Sequence, residues 1–456
     1  MTTDHIDDAL TGETVELLRA MIRNRCVNDG TAQSGDEIRN VELLESFLAG
    51  PGVEFQTWEP LPGRSSLVAR IEGIDPEAPS VCLMGHTDVV PASIDGWDRD
   101  PFAAEIHDGE VWGRGAVDML NLTSSMAVAF RHIARTGQRP QGDLIYFAVA
   151  DEEAGGRHGA GWFTENDYDP IRADYVLTES GGTPIGSGGD DVRRVTVTVA
   201  EKGIAWRRLT VRGTPGHGSM PFGADNAVIK AAEVIRRLAE YRPGSVLSDT
   251  WTGQVEAMGF EGQLKQALLD PGHVWEAIGG LENPATAKRL HACTHTTFSP
   301  NIIKGGSKTN TIPDEVVIDV DIRTVPGENA VEVEQHLRNA LGDMFDTVEV
   351  RSINDDPSTA SSTETPMWDT LTQLTRRSYP EAVLVPTMTT GGTDSRFYRA
   401  KGAECYGAGL FSTRCRYEDF ASRFHGRNER VDIDSLALTT ALWLGVVEQF
   451  WDVASS

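Results

Sequence analysis

The 456-residue chain is predicted to be an α/β protein: a mostly parallel, mixed sheet flanked by helices, with an α+β domain inserted into it. Three observations predict this. Two apolar runs, Val81 to Met84 and Leu144 to Ala150, each end at polar residues, and a helical pattern from Leu122 to Thr136 lies between them. Strand, helix, strand with reactive side chains just past each strand marks a parallel sheet whose site lies beyond its carboxyl edge. Near Asp190 the texture changes to alternating, half-exposed strands, and after Pro366 it returns to helix.

Taken in order, Thr14 to Arg25 and Asp36 to Leu48 carry apolar residues at helical spacing, with Glu16, Arg19 and Arg23 on the polar side of the first. Ser66 to Ile71 is a short strand. The Val81 and Leu144 runs are buried strands, and the helix between them starts near Asn121. Val195 to Val199, Trp206 to Val211 and Val316 to Asp321 alternate as antiparallel strands do. Asn226 to Leu238 and Ala330 to Leu341 are amphipathic helices, and helical pieces are expected within Thr250 to His291. The chain closes with a helix from Trp368 to Ser378, a Gly-rich turn, a short strand and a helix from Asp434 to Phe450. The main domain is placed at 1–198 and 358–456, and the insert at 199–357.

Composition excludes several classes. A net charge of −27 repels nucleic-acid phosphates and anionic membrane surfaces. No apolar run reaches the length of about 18 residues that a membrane helix needs. The start, Met1-Thr2-Thr3-Asp4-His5, lacks the basic and apolar layout of a secretion signal. Five scattered cysteines (Cys26, Cys82, Cys293, Cys405, Cys415) form no C-x-x-C pair and read as free thiols in a reducing compartment. A cytoplasmic protein is expected.

Imidazoles and carboxylates without thiolates favour a reactive metal site over a structural one. His86 and Asp88 stand two apart after a strand and so share a side; one can ligate while the other orients it, or both can be surface groups in a turn. Asp118 follows Gly113-Arg114-Gly115, and its carboxylate is suited to bridging two cations or to capping the next helix. Glu152 and Glu153 end a strand in divergent directions, which suits one ligand and one proton carrier, or a solvated acidic turn. Glu179 ends another apolar stretch, and His425 sits in Phe424-His425-Gly426. Each has an ordinary alternative; their conjunction points to a two-metal hydrolase.

These segments, in this order, resemble the aminoacylase, succinyl-diaminopimelate desuccinylase and glutamate carboxypeptidase family of dinuclear zinc hydrolases, over about residues 14 to 450. The resemblance implies that Asp118 bridges two ions, that His86 and Glu179 complete one site, and that Glu153 and His425 complete the other. It implies Glu152 as general base, Asp88 as the orienting partner of His86, and a cis peptide at Asp118-Met119. It makes the main domain catalytic and the insert a lid and dimerisation domain. There, Gly216-His217-Gly218-Ser219 matches a turn whose histidine stabilises the oxyanion in the partner subunit's site. Asn310 matches a substrate contact, and Arg323 and Arg396 match carboxylate anchors, a role that suits a guanidinium fork. The chain departs from many relatives at Leu120, where they carry a lysine. His291 and His295, four apart, imitate a helical metal pair without the accompanying acid.

The activity so implied is hydrolysis of the amide bond of N-acyl amino acids by metal-activated water, with zinc, cobalt or manganese as the metal. Glu179, where peptidases of the family more often have aspartate, tilts the expectation towards a deacylase. A dipeptidase or carboxypeptidase is the alternative, and a non-catalytic binding protein a distant one. The partners implied are a small N-acyl amino acid or peptide and a second copy of the chain.

Overall fold

The computed structural model describes residues 7–137, 139–185, 191–414 and 417–454, so Cys415 and the five N-terminal residues singled out above lie outside the described residues. The chain forms two compact units, one of residues 1–199, 361–387 and 393–456, the other of residues 200–360 and 388–392.

The first unit is built on a mixed sheet. Val81–His86 lies at its heart, parallel to Leu144–Val149 on one side and to Tyr175–Thr178 on the other, which is itself parallel to Glu404–Gly407. Arg64–Ile71 and Glu54–Leu61 extend the Leu144 side antiparallel, and Arg194–Glu201 pairs antiparallel beyond Glu404–Gly407. Both central strands are buried on every residue, which is why they read as continuous apolar runs. Cys82, Met84, Ile145, Phe147 and Val149 pack on one face against Phe163 and Tyr398. On the other face Tyr146 stacks near Phe130 and donates to the Thr123 carbonyl at 3.1 Å, seating the helix Leu120–Thr136. Helices Asp8–Asn24 and Ile433–Ala454 belong to the same layer; Thr14 meets Thr440 hydroxyl to hydroxyl at 3.0 Å.

The second unit is a four-stranded antiparallel sheet in the order Thr297–Gly305, Glu315–Thr324, Gly203–Arg212, Val348–Asp356. Alternation in Glu315–Thr324 buries Val316, Ile318, Val320 and Ile322 on one face, where helices Ala227–Glu240 and Ala330–Leu341 contribute Val234, Leu238, Val333 and Leu337. Asn226 and Asn329 cap these helices, the latter in a reciprocal box with Glu332. The segment expected to hold helical pieces forms four helices, Asp249–Met258, Gly262–Leu268, Val274–Gly279 and Pro284–Thr294. His291 and His295 stack on each other at 4.4 Å and edge-on to Trp275.

Candidate active site

His86, Asp88, Glu152, Glu153 and Glu179 sit at or just past strand ends, whereas Asp118 lies just before the helix Leu120–Thr136 and His425 lies between the helix Tyr417–Arg423 and the strand Arg430–Asp432. His86 is the last residue of Val81–His86, and Glu179 follows Tyr175–Thr178 directly. Glu152 and Glu153 occupy a single turn after Leu144–Val149, entered through Asp151 at φ 71°. Ser180 (φ 77°) and His425 (φ 52°) share this left-handed conformation, which costs a non-glycine residue about 1 kcal/mol or more. Three such residues, each a ligand candidate or next to one, mark backbone shaped by the site.

Asp118 and His425 are brought together by a small antiparallel sheet, in which Arg430 pairs with Trp112 and Asp432 with Glu110. The peptide Asp118–Met119 is cis. Two buried groups with no prior signal lock this junction. Glu429, fully buried, accepts the N–H groups of Val117 at 2.8 Å and Asp118 at 3.1 Å on one carboxylate oxygen. Its other oxygen receives Arg114 Nη1 at 2.7 Å, and Arg114 Nη2 donates to the Gly426 carbonyl at 3.0 Å. In the sequence Glu429 looks like one more charge in Arg427-Asn428-Glu429-Arg430; only the strand pairing reveals its partner.

The ligand atoms converge in two overlapping groups, His86 with Glu152 and Glu179, and His86 with Asp118 and Glu153, each within 4.8 Å. Asp118 stands between the imidazoles: Oδ1 lies 3.2 Å from His86 Nε2 and Oδ2 lies 3.1 Å from His425 Nε2. His425 Nε2 is also 3.1 Å from Glu153 Oε2, whose other oxygen is buried without a hydrogen-bond partner. A buried carboxylate oxygen without a donor, beside two imidazoles and further acids, fits a cation. The first-unit residues therefore suit divalent cations.

Electrostatics agree with a site short of positive charge. Burial, with the neighbouring Asp118 charge, pushes the Glu179 carboxyl up to about 8. Burial and then Glu179 drive Glu152 well above the usual carboxylate range. His425 is raised to about 10 by its bonds to Asp118 and Glu153. Burial opposes a charged His86, but its bond to Asp118 and the charges of Glu152 and Glu179 outweigh that and raise it well above 6.5. Asp394, unforeseen as a site group, is buried with neither oxygen hydrogen-bonded, and burial lifts it to about 7.

Asp88 faces His86 with two acceptors: its main-chain carbonyl lies 2.9 Å from Nδ1 and its carboxylate Oδ1 lies 3.5 Å from it. The carboxylate is turned by bonds from Asn28 at 2.8 Å and the Glu153 N–H at 3.1 Å, both to Oδ2. Arg396, which the resemblance matches to a carboxylate anchor, is buried, and its guanidinium donates to the Thr393 carbonyl and, at 2.6 Å, to that of Gly155. It ties the turn after Glu153 to Thr393. Leu120 is buried beside Gly115.

The remaining candidates lie in the second unit. His217 is exposed and pairs with Thr311 in a two-residue ladder. The Ser219 N–H donates to its Nδ1 at 3.2 Å, so the neutral ring carries its proton on Nε2. Asn310 adjoins that turn, its carbonyl accepting the Gly218 N–H at 2.8 Å. Arg323 is paired with Asp321 at 2.7 Å.

Largely buried carboxylates beside the buried His86 and the exposed His425, at the carboxyl edge of the parallel core of a mixed α/β sheet, define the class: a metal-dependent hydrolase. More narrowly, the chain belongs to peptidase family M20/M25/M40, which residues 82–449 match. Its relatives include the "Probable carboxypeptidase S-like 2" of Dictyostelium discoideum, 27% identical over 452 residues, covering 95% of this chain and 85% of the relative. Aminoacylase-1 of Sus scrofa is 26% identical over 399 residues, covering 86% of each chain. Among solved structures, an M20 family metallo-carboxypeptidase from Sulfolobus solfataricus superimposes with a TM-score of 0.70 at 17% identity, over 96% of this chain and 99% of its own. The last comparison bears on fold alone.

Proposed function

We propose that the enzyme is a deacylase that hydrolyses the amide bond of N-acyl amino acids with two divalent ions, zinc foremost, held by His86, Asp118, Glu153, Glu179 and His425. The observation that carries this reading is Asp118, which offers one oxygen towards each imidazole. Bound ions would polarise the amide carbonyl and lower the pKa of an attacking water. Glu152 lies beside His86 and Glu179, and its raised pKa suits a group that accepts the water proton and returns it to the leaving amine. Asp88 holds His86 through its carbonyl.

The acyl preference is supported by Glu179 and by the match to aminoacylase-1. The match to a carboxypeptidase-like relative keeps peptidase activity as the second reading. His217 donates Nε2–H to the oxyanion in a partner's site, Asn310 and Arg323 contact substrate, and the chain works as a homodimer through the second unit. The exposed edge strand Thr297–Gly305, with Ile302 and Ile303 in water, supports that surface as a pairing edge; a monomer in sedimentation at working concentration refutes it. The thiols of Cys26, Cys82 and Cys293, free of disulfides, suit work in the reducing cytoplasm.

Metal-stripped protein should be reconstituted with zinc, cobalt or manganese and assayed on N-acetyl and N-succinyl amino acids beside dipeptides. Metal-dependent cleavage of the acyl amino acids is expected. Cleavage of dipeptides alone selects the second reading, and failure to bind metal overturns both.

A further inference from the structure

Behind the ligands lies a buried polar network that ends at Asp88. Arg64, at the start of Arg64–Ile71, is buried. Its Nη1 donates to Glu37 Oε1 at 2.8 Å, and its Nη2 to Asn28 Oδ1 at 2.9 Å and to the Thr31 carbonyl at 3.1 Å. Gly35, at φ 98°, makes room for it: a Cβ there would lie 2.0 Å from Nη1. Asn28 is likewise buried, and its Oδ1 also accepts the Gly30 N–H at 3.0 Å. Its Nδ2 donates to Asp88 Oδ2 at 2.8 Å.

A second branch leaves from Glu37, whose Oε1 accepts the Asp151 N–H at 3.2 Å, directly before Glu152 and Glu153. The branches meet again at Asp88 Oδ2, which accepts the Glu153 N–H. An amide side chain can turn over and exchange its donor for its acceptor. Here it has no such freedom, because a guanidinium holds only donors, so the end of Asn28 facing Arg64 must be oxygen. The donor end must then face Asp88.

We propose that Asn28, its orientation set by Arg64, is a positioning residue for the metal centre. It pins the Asp88 carboxylate so that the Asp88 carbonyl is presented to His86 Nδ1 and the Glu153 N–H is held, thereby placing one ligand on each side of Asp118. This rests on the reading of His86 and Glu153 as metal ligands. Partners that act through a ligand in this way typically change metal affinity about 10- to 100-fold.

The test is Asn28→Asp, which keeps the side-chain shape and the oxygen facing Arg64 but sets an acceptor against Asp88. Asn28→Ala removes the donor without adding charge and serves if the first variant does not fold. Zinc is titrated calorimetrically into metal-stripped protein, with circular dichroism and thermal unfolding of the stripped protein read alongside. The expected result is a loss of about 10- to 100-fold in zinc affinity in folded variant protein, larger for the aspartate. Wild-type zinc affinity in folded variants, with only the unfolding temperature lowered, overturns the proposal and leaves Asn28 as packing. Wild-type protein that binds no zinc overturns it differently, by removing the ligand reading on which it rests.

Discussion

Replacing Glu429 by glutamine should loosen the junction that carries Asp118 and His425, at a cost set by what the carboxylate holds. Glu429 is fully buried and the Arg114 guanidinium nearly so. One oxygen serves two main-chain N–H groups and the other serves Arg114. An amide has one acceptor end. If its oxygen takes the Val117 and Asp118 N–H groups, its NH2 faces Arg114; if it is turned, NH2 faces the main chain. Either way a buried donor loses its acceptor, and Arg114 loses its countercharge. Breaking a buried pair by removing one partner costs about 3–5 kcal/mol. With a urea dependence of about 3 kcal/mol per molar, the unfolding midpoint of metal-stripped protein should fall by about 1 to 1.7 M. Zinc affinity should fall with it, because the displaced segments bear a ligand each. A midpoint within about 0.3 M of wild type would refute the assignment of Glu429 as the clasp.

Glu152→Gln should still bind two metal ions while its turnover falls by about 100-fold or more; wild-type rates in steady-state assays would remove Glu152 as the base. The metal-stripped protein should lose stability as pH rises from about 5 to 9. Glu179, raised to about 8, and His425, raised to about 10, bind protons more tightly folded than unfolded, so stability present below their unfolded values drains away as pH climbs through the folded ones. Thermal unfolding with and without zinc should therefore diverge with pH, and a stripped protein that gains stability over that range would contradict the sign. Gly407→Ala would set a Cβ 2.0 Å from the Glu179 carbonyl oxygen. Forcing those strands apart should cost about 1–3 kcal/mol and weaken zinc binding, whereas unchanged calorimetric affinity and melting temperature would show that the strands part freely.

Much of the framework was legible because local pattern determines it. Buried parallel strands are uniformly apolar, so Val81 to Met84 and Leu144 to Ala150 announced themselves, and the residues at their ends followed. The cis peptide at Asp118–Met119 agrees with the family resemblance. Three things were not legible. Glu429, Asn28 and Arg64 are charged or polar residues whose partners lie far away in the chain; nothing local distinguishes a buried clasp from a solvated charge. Arg396 carries the chemistry of an anion anchor, and only its burial shows the guanidinium committed to main-chain carbonyls. For Asp88, spacing selects a side chain without saying that its own carbonyl comes closer to His86.

The order of the ligands along the chain has a consequence for how the centre comes into being during synthesis. His86, Asp118, Glu153 and Glu179 all precede the second unit, and His425 follows it. About 250 residues separate Glu179 from His425, which at about 5–20 residues per second takes the ribosome about 12 to 50 s. Throughout that interval four of the five proposed ligands have been made and the fifth does not exist. The strand Glu404–Gly407, which covers the flank of Tyr175–Thr178, is missing as well. The emerging amino-terminal half thus carries a cluster of acids with an open sheet edge beside it. With the ligands proposed above, capture of metal at full strength requires a chain made past His425.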